Sequence, residues 1–202
     1  VKAVDAVDAA LHFGPQAEIY VFTPIATLLR FEKWDAVLAE PAPPKQLILD
    51  RTFWRYARGT AFAAKGDLKD AQTERDELAA VIAVSDFSAY DQNAVPAKQM
   101  ARLGLTLLDG EIARAKGDLD GAVAKFRAAY ELQKQIPYSE PPWWHQPQVE
   151  LKILTASLSA WASLSAPNAG AVSSPTSIVI INKRIMPSSK KQRAGQPAPP
   201  PR

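Results

Sequence analysis

At 202 residues the chain has room for one domain or a domain and a half, and its 47% hydrophobic and 22% charged residues match a soluble globular protein rather than a disordered one. The absence of cysteine excludes a disulfide framework and thiolate zinc sites. The net charge of +3 hides two different polymers: residues 1–150 hold all 21 acids and 17 of the 24 bases, while residues 151–202 hold no acid and 7 bases. The basicity that would invite a nucleic-acid reading therefore belongs to the tail alone. Starting at Val1 with no basic-then-apolar leader, the chain reads as a fragment or a processed product.

Helical periodicity runs from the start through residue 135. Ala3, Val4, Val7, Ala10 and Leu11 fall near i, i+3, i+4 and i+7, one face of a short amphipathic helix. Ile25, Leu28 and Leu29 make the next face, followed after a brief turn by Trp34, Val37 and Leu38. Pro41, Pro43 and Pro44 stop that helix, because proline lacks the amide proton and clashes with the preceding turn. A long helix is predicted over about 51–65 and its partner over about 68–83. Gly66 and Asp67 form the turn between them, with Asp67 suited to cap the partner helix. Residues 85–96 are polar and turn-rich and read as an inserted loop. A further pair covers about 97–116 and 118–135, hinged on Gly117 and Asp118. Helices joined by turns this short must lie antiparallel.

One string recurs. Ala-Lys-Gly-Asp-Leu stands at residues 64–68 and again at 115–119, each copy preceded by a glycine (Gly59, Gly110) and followed by an alanine (Ala71, Ala122) at the same spacing. Such recurrence is the mark of one supersecondary unit used twice. In this pattern the chain resembles the tetratricopeptide repeats, helix–turn–helix units of about 34 residues. The third pair fits best, through Gly110, Gly117, Asp118, Ala122, Phe126 and Ala129. The second supplies Gly59, Phe62, Gly66, Asp67 and Ala71, but has Arg75 where Phe or Leu is usual. The first is degenerate, with Glu32 in place of the turn glycine. The Arg-Phe-x-x-Trp-Asp segment from Arg30 to Asp35 ahead of the repeats is similar to that of bacterial multi-repeat proteins.

The resemblance implies an all-α fold: a short right-handed α-solenoid of antiparallel helix pairs at about 18–41, 51–83 and 97–135, within a repeat domain spanning 1–146. Small residues at Gly59, Ala71, Gly110 and Ala122 let helix backbones approach to about 8–10 Å, with Phe62 and Phe126 filling the space beside each crossing. It also implies a protein–protein interaction scaffold that docks a peptide or helix of an unidentified protein in a concave groove, in the cytoplasm. The polar groove candidates are Tyr56, Thr60, Glu111 and Arg114. The Lys/Asn/Arg clamp by which some relatives grip carboxylate tails is replaced by Phe22, Ala26, Ala57, Gly104 and Leu108, which argues against that ligand.

After Pro141-Pro142 the repeat pattern stops. Leu151, Leu154, Leu158 and Trp161 make one more helical stripe, a capping helix within 147–165. Residues 166–202 are basic and rich in Ser and Pro, and read as disordered. Two readings of that break stand open: a genuine tail, or a shift of reading frame near residues 146–150 that leaves a truncated array. Trp143 and Trp144 would then lie exposed as a docking pair, and the unfinished end would favour self-association.

No chemistry-bearing pattern is present. His12 and His145 have no converging ligands, and the phosphate loop, nucleophile elbow and zinc-helix signatures are missing, so no enzyme activity, cofactor or metal is expected. Lys183-Arg184 and Lys190-Lys191-x-Arg193 offer an alternative, contact with nucleic acid or anionic lipid, but no interleaved aromatics give it specificity. Serines and prolines between Lys152 and Lys183 argue against a transmembrane helix.

Overall fold

The fold is taken from a computed structural model. The structure describes residues 6–139 and 152–159, and these are helix, turn and connecting chain with no strand. The expectations for the 166–202 tail, Trp161, Trp143, Trp144 and His145 lie outside the described residues.

Among the described residues nine helices are numbered in chain order: α1 (Ala6–Phe13), α2 (Pro15–Glu18), α3 (Thr23–Arg30), α4 (Trp34–Ala39), α5 (Ile48–Lys65), α6 (Leu68–Val84), α7 (Ser88–Gln92), α8 (Ala97–Ala115) and α9 (Leu119–Gln133). Residues 152–159 are helical as well. The all-α class read from periodicity is what the described residues adopt.

Three turns share one geometry. Gly66 and Gly117 take φ of 83° and 80°, the left-handed conformation that costs glycine nothing. Around them the amides of Gly66 and Asp67 donate to the carbonyls of Ala63 and Phe62, and those of Gly117 and Asp118 to Arg114 and Ala113. Asp67 then accepts from the Asp70 amide at 3.3 Å and Asp118 from the Gly121 amide at 2.9 Å, capping α6 and α9. Between α3 and α4 the same pattern returns without glycine: Glu32 and Lys33 donate to Leu29 and Leu28 while Glu32 holds φ 54°. A side chain is there forced into the left-handed region because the turn requires it.

The helix α5 is the hub, packing on α3, α4, α6 and α8, while α8 also packs on α6 and α9. Its stripe of Leu49, Phe53, Tyr56, Ala57 and Ala61 is almost wholly out of water. Phe22 stacks on Phe53 with centroids 4.5 Å apart, and Phe53 meets Tyr56 edge-on at 5.7 Å. Each such buried aromatic contributes about 1.5–3 kcal/mol through lost water contact. Where α5 meets α8, a Cβ on Gly59 would lie 2.6 Å from Leu108 Cδ2 and 3.3 Å from Glu74 Cβ, so glycine lets the three helices close up without displacing a neighbour.

Three details differ from the sequence reading. Leu11, placed on the inner face of α1, is half exposed, and Ala10 is the buried residue there. The long helix begins at Ile48 rather than residue 51, drawn back by burial of Leu47 and Leu49. The insertion at 85–96 is more than a polar loop: it contains α7, entered through Asp86, which accepts from the Ser88 amide and hydroxyl at 2.9 and 3.0 Å. Phe87, Tyr90 and Val95 are buried and anchor it. Three apolar side chains among polar neighbours set no period, so the pattern was invisible along the chain.

Candidate functional site

The four groove candidates divide. Tyr56 and Thr60 lie on α5 and Glu111 on α8, and all three are buried; Arg114 alone is exposed. At Glu111 the helical stretch 152–159 closes the face: its Lys152 ion-pairs with Glu111 Oε1 while Ile153 and Ala156 are buried. Glu111 Oε2 is taken at 2.8 Å by Arg114 Nη2. Burial pushes the Glu111 carboxyl up, but Lys152 and Arg114 outweigh it and hold the group below its ordinary value. Burial likewise pushes the Tyr56 hydroxyl up, against the nearby Lys152 ammonium.

The packing residues occupy the crossings. Ala71, Ala122, Phe126 and Ala129 are fully buried, whereas Phe62 is half-buried with the Arg58 guanidinium 5.4 Å from its ring centre. Arg75, at the repeat position of Phe126, does not fill a crossing. Its Nε bonds Asp109 Oδ1 at 2.8 Å, and Lys125 takes the other oxygen at 3.0 Å.

Two polar clusters had no signal in the sequence reading. In the first, Glu74 is buried on α6 and receives Arg55 Nη1 and Arg58 Nε, each at 2.7 Å. Both guanidiniums also lie over the Trp54 ring, 4.9 and 4.7 Å from its centre. Arg58 Nη1 donates to the Leu38 carbonyl and Trp54 Nε1 to that of Glu40, which ties α4 to α5. An i, i+3 or i, i+4 charge pair is legible along one helix; this one spans two.

The second cluster joins α2, α5 and α7. The Tyr90 hydroxyl donates to Glu18 Oε2 at 2.5 Å, and the Asp50 amide donates to Glu18 Oε1 at 2.8 Å. Asp50 itself is 4% exposed. Burial, with the charge of Glu18 added, pushes its carboxyl up to about 7. Glu18 is also raised, chiefly by burial, in spite of its donors. Glu18 stands 32 positions from Asp50 and 72 from Tyr90 along the chain, so neither motif nor period could have assembled them.

Among the described residues no group of three or more His, Asp or Glu side chains could hold a metal ion. No helix among them is long and apolar enough to cross a membrane. Set against protein-family models, curated proteins and solved structures, the chain matches none.

Proposed function

We propose that this chain is a tetratricopeptide-like scaffold, a short right-handed stack of antiparallel helix pairs that binds a peptide or helix of another protein in the cytoplasm. The supporting geometry is the recurrence of one turn at Glu32, Gly66 and Gly117, together with the packing of α5 on both α6 and α8. Units that bury one another's faces in this way present a preformed surface, which lowers the ordering cost of binding.

The observation that carries the docking role is the Lys152–Glu111 ion pair. A helical stretch of the same chain already engages the α8 face, so that face accepts a helix and selects it partly by a cation opposite Glu111. Arg114, half exposed and turned to Glu111 through Nε and Nη2, keeps Nη1 for a partner carboxylate. In this reading the chain binds and positions and carries no reaction of its own.

The test is selection of displayed random peptides on the whole chain, repeated with Arg114→Glu and with Glu111→Lys. Enriched peptides whose binding falls at least tenfold in either variant support the scaffold reading. Absence of enrichment, or equal binding by all three proteins, overturns it.

A further inference from the structure

A cavity of about 280 Å³ opens beside the cluster of Glu18, Asp50 and Tyr90, with Val7, Val21, Ile25, Trp54, the prolines of the 41–44 segment and two acids, Glu40 and Asp50, in its lining. Its volume is near the lower end of the roughly 300–1,000 Å³ typical of small-molecule sites. Apart from Glu40 and Asp50 the walls are aliphatic and aromatic, and the prolines have no amide protons to offer. The indole nitrogen of Trp54 already donates to the Glu40 carbonyl at 3.0 Å. The Arg51 guanidinium, next in the chain to Asp50, is engaged on the Pro43 carbonyl at 3.1 Å. The lining therefore offers apolar faces and acceptors.

Asp50 supplies the independent observation. It is 4% exposed and lines this cavity, yet no donor among the described residues reaches its carboxylate. Glu18, its neighbour, has both oxygens engaged, by Tyr90 and by the Asp50 amide. A carboxylate that faces a cavity with no protein donor is neutralised either by a proton or by a bound cation, and buried charges are ordinarily paired. A bare metal ion would find hydrocarbon on most sides here, whereas an organic cation would satisfy the acid and the walls together.

We propose that this cavity binds a protonated amine or guanidinium carried on an apolar stem, with Asp50 as counter-ion and Ile25, Val21 and Trp54 around the stem. Nothing in this site depends on the docking face at Glu111. Binding strengthens with pH as Asp50 ionises. Among the described residues the charged and titratable groups around it are Glu18 of α2, Tyr90 of α7, Glu40 ahead of α5 and Arg51. Burial and Glu18 hold Tyr90 far above the physiological range, so its proton stays in place.

Calorimetric titration of the whole chain with phenethylamine, with N-acetyl-lysine methylamide and with neutral phenethyl alcohol tests the assignment. A dissociation constant of about 1 mM or tighter is expected for at least one amine, with none measurable for the alcohol. The free amine binding alone identifies a small-molecule ligand, and the lysine derivative binding alone identifies a side chain presented by a peptide. Affinity should weaken at least tenfold between pH 8 and pH 5.5 and at least tenfold in Asp50→Asn. Val21→Phe, which fills the cavity and leaves the acid in place, should abolish binding and serves if the asparagine variant does not fold. No binding of either amine, equal binding of the alcohol, or unchanged affinity in the variant that folds overturns the proposal.

Discussion

The ring of Phe126 on α9 lies against the backbone of Gly110 on α8: a Cβ built on Gly110 would stand 2.5 Å from Phe126 Cε1 and 2.7 Å from Cδ1. At the matching position in the preceding hairpin, Gly59 is met by the two methyls of Leu108, at 2.6 and 2.9 Å. The same sequence spacing thus meets a rigid ring in one place and a rotatable side chain in the other.

Gly110→Ala should therefore lower stability by about 1–3 kcal/mol, since overpacking displaces the Phe126 ring and with it the α8–α9 contact. Gly59→Ala should stay within about 1 kcal/mol of the parent, because Leu108 can turn aside and alanine favours the helix. Urea denaturation of the two variants checks this. Equal losses would mean that both crossings are equally rigid, against the difference in their neighbours. Adding Phe126→Leu to Gly110→Ala should recover part of the loss.

The three turns make opposite predictions for glycine and its replacement. Gly117→Ala places a Cβ in the left-handed region and should cost about 1–2 kcal/mol. Glu32→Gly removes that strain from the α3–α4 turn and should raise the melting temperature by up to about 4 °C, a gain of at most about 1 kcal/mol. Glu32 is exposed and holds φ 54°, so relief of backbone strain competes with the greater freedom glycine gives the unfolded chain, which is why the gain stays small. A lower melting temperature for this variant would show that the side chain itself stabilises the turn.

Glu111→Gln should destabilise by about 1–3 kcal/mol, below the 3–5 kcal/mol typical of a fully buried pair because Lys152 and Arg114 are part-exposed. The sign with pH comes from the lowered carboxyl. Its contribution is present above the ordinary Glu value and is lost as pH falls through the lower folded-state value. Lys152, raised on balance by Tyr56 and Glu111 against burial, contributes below the ordinary Lys value and loses that contribution only in strong alkali. Thermal melts of Glu111→Gln should accordingly be flatter than the parent's below about pH 4.

Asp50 runs the other way. Its folded-state value of about 7 lies above the ordinary 3.8, so the folded chain holds an extra proton between those limits. Stability should then fall as pH rises, by roughly 2–3 kcal/mol between pH 5 and pH 8. Asp50→Asn should remove most of that slope and leave a smaller one of the same sign from Glu18. A melting temperature that rises across this window in the parent would contradict the burial of an unpaired acid.

Much of the local structure was legible in the order of residues. The helices, the two Gly-Asp turns and the small residues at Gly59, Ala71, Gly110 and Ala122 obey local rules, because periodicity, left-handed caps and close crossings act within a few residues of one another. The anchoring of the 85–96 insertion was not legible, since Phe87, Tyr90 and Val95 keep no period and find their partners only in space. Nor was the fate of Tyr56, Thr60 and Glu111. Their spacing placed them on shared helix faces, but whether a face meets water depends on what else in the chain reaches it, as Lys152 reaches Glu111. Tertiary structure alone joined Glu18, Asp50 and Tyr90 and left one carboxylate of the set without a donor beside a cavity. Burial and electrostatic pairing are set by distance in three dimensions, which a chain read residue by residue does not contain.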